Sequence, residues 1–369
     1  MKLKKVAVTG DAFFLKRHNY IFEAMAQDLD HLQLMPYGKF NKNIVISETL
    51  TQLLYKVFYR FSPNKADKLF HKNHVRFITK SKQTERKIRQ LDYIPDVVIH
   101  MFGTYSPFWS KFDIPYAIFL DYTMLQAEKN WLAWVPFTNR EQRDLWINCE
   151  RQAYEQAHCL LCMSNAVKNS LIDDYGIETQ KITVVGSAAN FKEIYEGEKT
   201  FGSKQILFNA SDFNRKGGDL VLAAFKKVKQ EIPESRLIII GKKLTLNEDG
   251  IENPGKISSR SDMRNLLLQT DLVVSPAYCD PFPVFLIEAM NYGVPCIVSE
   301  RDGMPEIVDN EENGIVINQP TSDILAAHII SMLSNTSILN SMSEKARYKV
   351  KTELNGERVA KNILQALLS

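Results

Sequence analysis

Short runs of apolar and β-branched residues recur along this 369-residue chain, most of them followed by a stretch with helical periodicity. The runs fall at 6–9, 96–100, 116–120, 159–163, 182–185, 205–208, 237–240, 272–274, 296–299 and 314–317. They are apolar throughout rather than alternating. A strand of that kind is covered on both faces, as in parallel sheets packed between helices. The pattern predicts a doubly wound α/β fold. Residues 20–32 read as an early amphipathic helix, and 356–368 as a late one with Val359, Ile363, Ala366 and Leu367 on one face.

One core rarely grows past about 250–300 residues, so the length predicts two domains. The small, polar, aperiodic stretch 186–204 reads as the hinge between them. The expected boundaries are 1–190 and 201–349, with 350–369 returning to the first domain. Ligands of doubly wound sheets sit beyond the carboxyl ends of the strands, which predicts a site in the cleft between two facing domains.

Several classes are excluded early. No apolar run approaches the ~18–20 residues of a membrane span. The basic start Met1–Val8 ends at Thr9-Gly10-Asp11, short of a secretory h-region of ~7–15 residues, and reads as a first buried strand. Five cysteines are too few and odd in number for a disulfide scaffold, which points to a reducing, cytoplasmic setting. Cys159 and Cys162 have C-x-x-C spacing but lie in an apolar strand. The net charge of +3 argues against a nucleic-acid binder. Asp28 and Asp30 close a helix pattern and read as surface, so no metal constellation emerges and no cofactor is expected.

Chemistry concentrates in residues 280–295. Asp280 and Glu288 are eight apart, and Pro281 and Pro283 suit a helix entry but not its interior. A helix starting near Pro283 carries Glu288 in its second turn. Backbone N–H groups at such a start, here those of Val284 and Phe285, can bind phosphate. A carboxylate one turn further in can accept from both ribose hydroxyls. Asp280, on the loop, lies nearer the sugar. A second element is Arg215-Lys216-Gly217-Gly218, which suits a diphosphate leaving group or, equally, a basic surface turn. A third is Arg301-Asp302-Gly303-Met304-Pro305-Glu306, with Pro305 in a first helical turn or, equally, simple turn chemistry.

Together these runs resemble the retaining glycosyltransferases of GT-B-fold family four. The residues that carry the likeness are Asp280, Glu288, Ala289, Met290, Gly293, Pro295, Gly303, Pro305 and Glu306, with Arg215–Gly218 resembling one branch. The likeness is strong over about 205–318. It implies a GT-B architecture, an N-terminal acceptor domain and a C-terminal donor domain. Transfer is then metal-independent, from a nucleotide-diphosphate sugar. In this reading Glu288 holds the ribose, Asp280 the sugar hydroxyls, and Lys216 with Arg215 the diphosphate. The chain departs from the family at four places. Asp280 stands for the usual Glu, Pro283 for a glycine with one more N–H, Ala210 or Ser211 for an arginine, and Asp121 for a histidine.

On the acceptor side, the family places a glycine near the donor phosphates, here Gly10, which also suits an ordinary strand-end turn. Asp121 orients the acceptor hydroxyl or stabilises a sugar cation, or instead caps the next helix. His100 is a weaker acceptor-side candidate. Residues 49–91 hold eleven Lys or Arg against two acids, with Leu50, Leu53, Leu54, Val57, Phe58 and Phe61 at helical spacing and Tyr55 and Tyr59 beside them. That is either a peripheral contact with the anionic inner membrane face or a core helix with a solvated basic face. The expected function is sugar transfer to a hydroxyl of a glycan or lipid-linked acceptor in cell-surface polysaccharide or glycolipid synthesis. The rival readings are a nucleotide-sugar epimerase on the same fold and a non-catalytic membrane-associated scaffold. A dinucleotide oxidoreductase lacks its G-x-G-x-x-G.

Overall fold

The computed structural model describes residues 3–37, 53–54, 57, 60–61, 73–135, 137, 139–191 and 193–368. The chain divides into two compact units, Met1–Gly186 with Val359–Ser369, and Ser187–Arg358.

The first unit runs β1 (Lys5–Asp11), α1 (Ala12–Arg17), α2 (Asn19–Met25), β2 (His31–Tyr37) and α3 (His74–Ile88). It continues through β3 (Val97–Met101), β4 (Tyr116–Leu120), α4 (Met124–Asn130), α5 (Arg140–Gln156), β5 (Cys159–Cys162), α6 (Asn165–Asp173) and β6 (Ile182–Val184). The strands form one parallel sheet in the order β2-β1-β3-β4-β5-β6. β3, β4 and β5 are buried at every position, as strands covered on both faces must be. α3 and α5 meet through Phe77, whose ring stands edge-on to Trp146 at 5.4 Å and to Trp109 at 5.9 Å. Each fully buried ring of that kind stabilises the fold by about 1.5–3 kcal/mol.

The second unit runs β7 (Gln205–Asn209), α7 (Gly218–Glu231), β8 (Arg236–Ile240), β9 (Ile251–Gly255), α8 (Arg260–Gln269), β10 (Leu272–Ser275) and α9 (Val284–Asn291). Then come β11 (Cys296–Ser299), α10 (Met304–Ile307), β12 (Gly314–Ile317), α11 (Ser322–Leu333) and α12 (Thr336–Thr352). Its parallel sheet has the order β12-β11-β10-β7-β8-β9. The last helix, α13 (Gly356–Leu368), buries Val359, Ala360, Ile363, Ala366 and Leu367. Asn362 on it donates to the Val185 carbonyl at 3.2 Å, tying it to the end of β6.

The pattern of buried strands misses two elements, and both are sheet edges. The helix expected over 20–32 stops at Met25, passes through a 3-10 turn at Ala26–Asp28, and gives way to β2. β2 buries only Met35 and contains Pro36, which an edge strand tolerates because one side needs no partner. β9, Ile-Glu-Asn-Pro-Gly, is the other edge. Asp30 sits on the surface beside Lys4 at 3.7 Å. All five cysteines are buried and free.

Candidate active site

In the second sheet the chain order reverses between β7 and β10. The two crossovers leave in opposite directions and open a crevice at the strands' carboxyl ends, where ligands bind in such folds. The loop after β7 carries Arg215 and Lys216, and the loop after β10 carries Asp280. Topology thus brings together groups 64 residues apart.

The two loops touch backbone to backbone. Gly217 caps α7 in the left-handed region at φ +74°, and a Cβ there would stand 2.2 Å from the Pro276 carbonyl oxygen. No residue with a side chain fits without moving one loop. The Tyr278 N–H donates to the Arg215 carbonyl at 2.9 Å and closes the contact.

Lys216 Nζ lies 2.5 Å from Asp280 Oδ2, and Arg215 Nη1 lies 3.4 Å from Asp280 Oδ1. Arg215 also donates through Nε to Asp212 at 3.1 Å and through Nη1 to the Cys279 carbonyl. Both cations are only 8% exposed. The surface-turn reading of this run therefore fails: the pair is packed under the Asp280 loop. Asp302, part of the third run but given no role of its own from sequence, accepts from the Asp280 N–H at 2.9 Å, with its own backbone at φ +49°. The Gly303 N–H donates to the Pro281 carbonyl at 2.9 Å. The Gly-x-Pro-Glu run thus braces the acid loop. Its only outward sign in the sequence is Asp302-Gly303, a pair suited to a tight turn.

α9 starts at Val284 with Pro283 as its cap residue, and Glu288 falls in its second turn, half-buried. The first bond of that turn runs from the Leu286 N–H to the Pro283 carbonyl at 2.9 Å. The N–H groups of Val284 and Phe285 precede it and have no partner within the helix.

The remaining candidates lie in the first unit, at strand ends. Gly10 sits near the end of β1, where a Cβ would come within 2.7 Å of Met101 Cβ, so the residue lets β1 and β3 approach closely. His100 on β3 is fully buried, with Nδ1 2.7 Å from Thr9 Oγ1 and its ring edge-on to Tyr105 at 4.4 Å. Burial pushes its pKa down to about 3, so the imidazole is neutral at pH 7. Asp121 follows β4. The cap of α4 is Thr123, whose Oγ1 accepts from the Gln126 N–H at 3.1 Å, and this removes the capping role from Asp121.

The basic stretch is neither wholly solvated nor wholly outward. Arg89 on its far end pairs with Glu85 at 3.1 Å and Asp113 at 2.8 Å. Lys80 points to Asp11 at 4.0 Å. Leu53, Leu54, Val57 and Phe61 are exposed. Leu50, Tyr55, Phe58, Tyr59, Lys56, Lys65, Lys68 and Lys72 lie outside the described residues. Among the described residues, no helix is long and apolar enough to cross a membrane, and no three His, Cys, Asp or Glu side chains are placed to hold a metal ion.

Residues 191–349 match the family model of glycosyl transferases group 1, and 43–190 match that of glycosyltransferase family 4. A relative from Escherichia coli, UDP-Gal:alpha-D-GlcNAc-diphosphoundecaprenol alpha-1,3-galactosyltransferase, is 27% identical over 55% of this chain and 57% of its own length. N-acetyl-alpha-D-glucosaminyl L-malate synthase of Bacillus anthracis is 26% identical over 46% and 47%. The chain thus spans about half the length of these curated relatives. Among solved structures, sucrose-phosphate synthase from Thermosynechococcus elongatus superposes with a TM-score of 0.66 at 14% identity, over 99% of this chain and 98% of its own. Two parallel six-stranded sheets of this topology form the GT-B fold, and the chain belongs to glycosyltransferase family 4, the group 1 glycosyl transferases.

Proposed function

We propose that this protein transfers a sugar from a nucleoside-diphosphate sugar to a hydroxyl of a glycan or lipid-linked acceptor, with retention at the anomeric carbon. The observation that carries this reading is the buried Lys216–Asp280–Arg215 cluster beside the start of α9. A diphosphate placed there meets two cations and the N–H groups of Val284 and Phe285. The charge that develops as the sugar–phosphate bond breaks is offset without a metal ion. Glu288, one turn further along α9, accepts hydrogen bonds from the ribose hydroxyls. Asp280 holds Lys216 in place in the free protein and accepts from sugar hydroxyls once a donor is bound. In the first unit, Asp121 orients the acceptor hydroxyl, Gly10 gives the donor phosphates a close approach to backbone, and neutral His100 stands behind the acceptor side.

The family and the galactosyltransferase relative, named for a UDP-Gal donor, support UDP as the first nucleotide to try. That relative's lipid-linked substrate, together with exposed Leu53, Leu54, Val57 and Phe61, supports a peripheral contact with an anionic membrane at the inner face. The test is calorimetry with UDP and other nucleoside diphosphates. Wild-type protein is expected to bind at least one of them, and Glu288→Ala to bind it tenfold or more weakly. No binding of any nucleoside diphosphate sinks the donor reading, and normal binding by Glu288→Ala sinks the ribose assignment.

A further inference from the structure

The start of α4 is held by a buried carboxyl group that donor binding does not use. Asp121 and Tyr122 join β4 to Thr123, the cap of α4, and the first three N–H groups of that helix have no partner within it. Side chains meet all three. The Gln126 N–H donates to Thr123 Oγ1 at 3.1 Å, and the Leu125 N–H donates to the Tyr175 hydroxyl at 3.3 Å. The Met124 N–H faces the Glu150 carboxyl and lowers its pKa. The Tyr175 hydroxyl in turn donates to Glu150 Oε2. Thr123 Oγ1 also stands 2.7 Å from Ser170 Oγ on α6, so the cap itself is anchored.

Glu150 on α5 and Tyr175 just after α6 are both buried. An acid out of water costs free energy unless hydrogen bonds satisfy it. An apolar side chain would pack there without that cost, so the effect of the acid lies in the groups that donate to it. The groups that titrate against it are Cys149 and Tyr154 on α5 and Tyr175, all neutral at pH 7 because burial pushes each of them up. The charged residues of α4 pair elsewhere, Glu128 with Arg143 at 2.7 Å and Lys129 with Asp174. The far half of α4 is thus tied by partly exposed ion pairs, which hold weakly, and its start by a buried network.

We propose that Glu150 and Tyr175 are positioning residues for Asp121: through the first turn of α4 they fix the turn at the end of β4, and with it the place of the Asp121 carboxylate. That Asp121 acts on an acceptor rests on the transferase reading above; that the pair sets its position does not. A carboxylate that orients a hydroxyl must be held to within about 0.5 Å, and a short strand-to-helix turn is only as fixed as the helix start that ends it. Glu150 and Tyr175 act from the core.

The experiment has two arms, both on the full chain. In the first, the Asp121 carboxyl carbon is followed by NMR through a pH titration of isotope-labelled protein, with Asp121→Asn assigning the signal. Burial places Glu150 at about 7, so the wild-type Asp121 signal should show a step near pH 7, and Glu150→Gln should abolish it. In the second arm, UDP release is timed from UDP-galactose, UDP-glucose and UDP-N-acetylglucosamine, with octyl glucoside as the hydroxyl acceptor. Tyr175→Phe keeps the ring and removes the hydroxyl, and should lower kcat by about tenfold or more with UDP binding unchanged. In an Asp121→Asn background the same change should cost less than about twofold, because the group it positions is already gone. The proposal is overturned if the Asp121 signal has no step near pH 7 or if the step survives in Glu150→Gln. It is also overturned if Tyr175→Phe turns over as wild type does, or if its loss is equally large without the Asp121 carboxylate, as a merely structural role requires. Release of UDP from none of the three sugars by wild type would count against the transferase reading alone, because the titration reads the position of Asp121 without a substrate.

Discussion

Lys216 and Lys80 occupy matching places, each over the carboxyl ends of a parallel sheet at its switch point, and their surroundings differ sharply. Lys216 has Asp280 at 2.5 Å. Lys80 has two tyrosine faces and a carboxylate at 4.0 Å. In the second unit the protein supplies the counter-charge, which fixes the cation's position before any ligand arrives. In the first unit, among the described residues, the cation lies over two tyrosine rings with its carboxylate at 4.0 Å. Pairing at contact distance fixes a cation's position, while a looser pair at 4.0 Å leaves it freer to move.

The comparison breaks most readily at Lys216. If Lys216 faces the leaving group as proposed, Lys216→Ala should lower kcat by about 10²–10³-fold. It should also destabilise the fold by about 2–3 kcal/mol. That is less than the ~3–5 of an isolated buried pair, because Arg215 still faces Asp280. Lys80→Gln should change the melting temperature little, because Asp11, its carboxylate at 4.0 Å, is partly exposed and stays hydrated. Equal losses of stability in the two variants, measured by denaturant titration, would erase the distinction.

A smaller effect is expected from the glycine that joins the two loops. Gly217→Ala should cost about 2 kcal/mol or more, since a left-handed backbone and a 2.2 Å collision act together. Gly186→Ala shares the left-handed backbone at φ +76° but has no atom within 4 Å of the added Cβ, so about 1 kcal/mol is expected. Equal melting shifts would show that loop contact contributes nothing at Gly217.

The first unit also holds a buried acid whose titration should be visible. Glu150 on α5 accepts from the Tyr175 hydroxyl, and burial pushes its pKa up from 4.5 to about 7. The folded state therefore keeps this proton to higher pH than the unfolded chain does. Its contribution to stability is full below pH 4.5 and is lost as pH rises through about 7. Glu150→Gln should remove that fall and melt a few degrees higher than wild type at pH 8, with little difference at pH 4.5. A constant difference across that range would assign the effect to packing. The smallest effect is expected at the exposed apolar residues. Val57→Asp with Phe61→Asp should reduce flotation with anionic vesicles while leaving UDP binding intact. Equal flotation of the double variant would remove those residues from any membrane contact.

Much of the fold was legible because strands covered on both faces write their burial directly into composition. Residues 116–120 and 296–299 are buried at every position and stood out at once. β2 and β9 did not, because an edge strand has a solvent side and tolerates polar residues and proline. The donor-side candidates were legible for another reason. Asp280, Pro283 and Glu288 lie within nine residues, and helix-entry chemistry fixes their relation locally. The partners of Asp302 and Lys80 were not legible, because they lie 22 and 69 residues away.

The sequence by itself determined the layered parallel architecture, the helix that presents Glu288, and the stock of cations and carboxylates. Only the tertiary structure decided which charges meet. Strand order is set by long-range packing, and it carries Lys216 to Asp280 while leaving Lys80 4.0 Å from Asp11. A lysine reads the same in sequence whether a carboxylate waits for it or not. Its chemistry depends on distances of a few ångströms that only the folded chain sets.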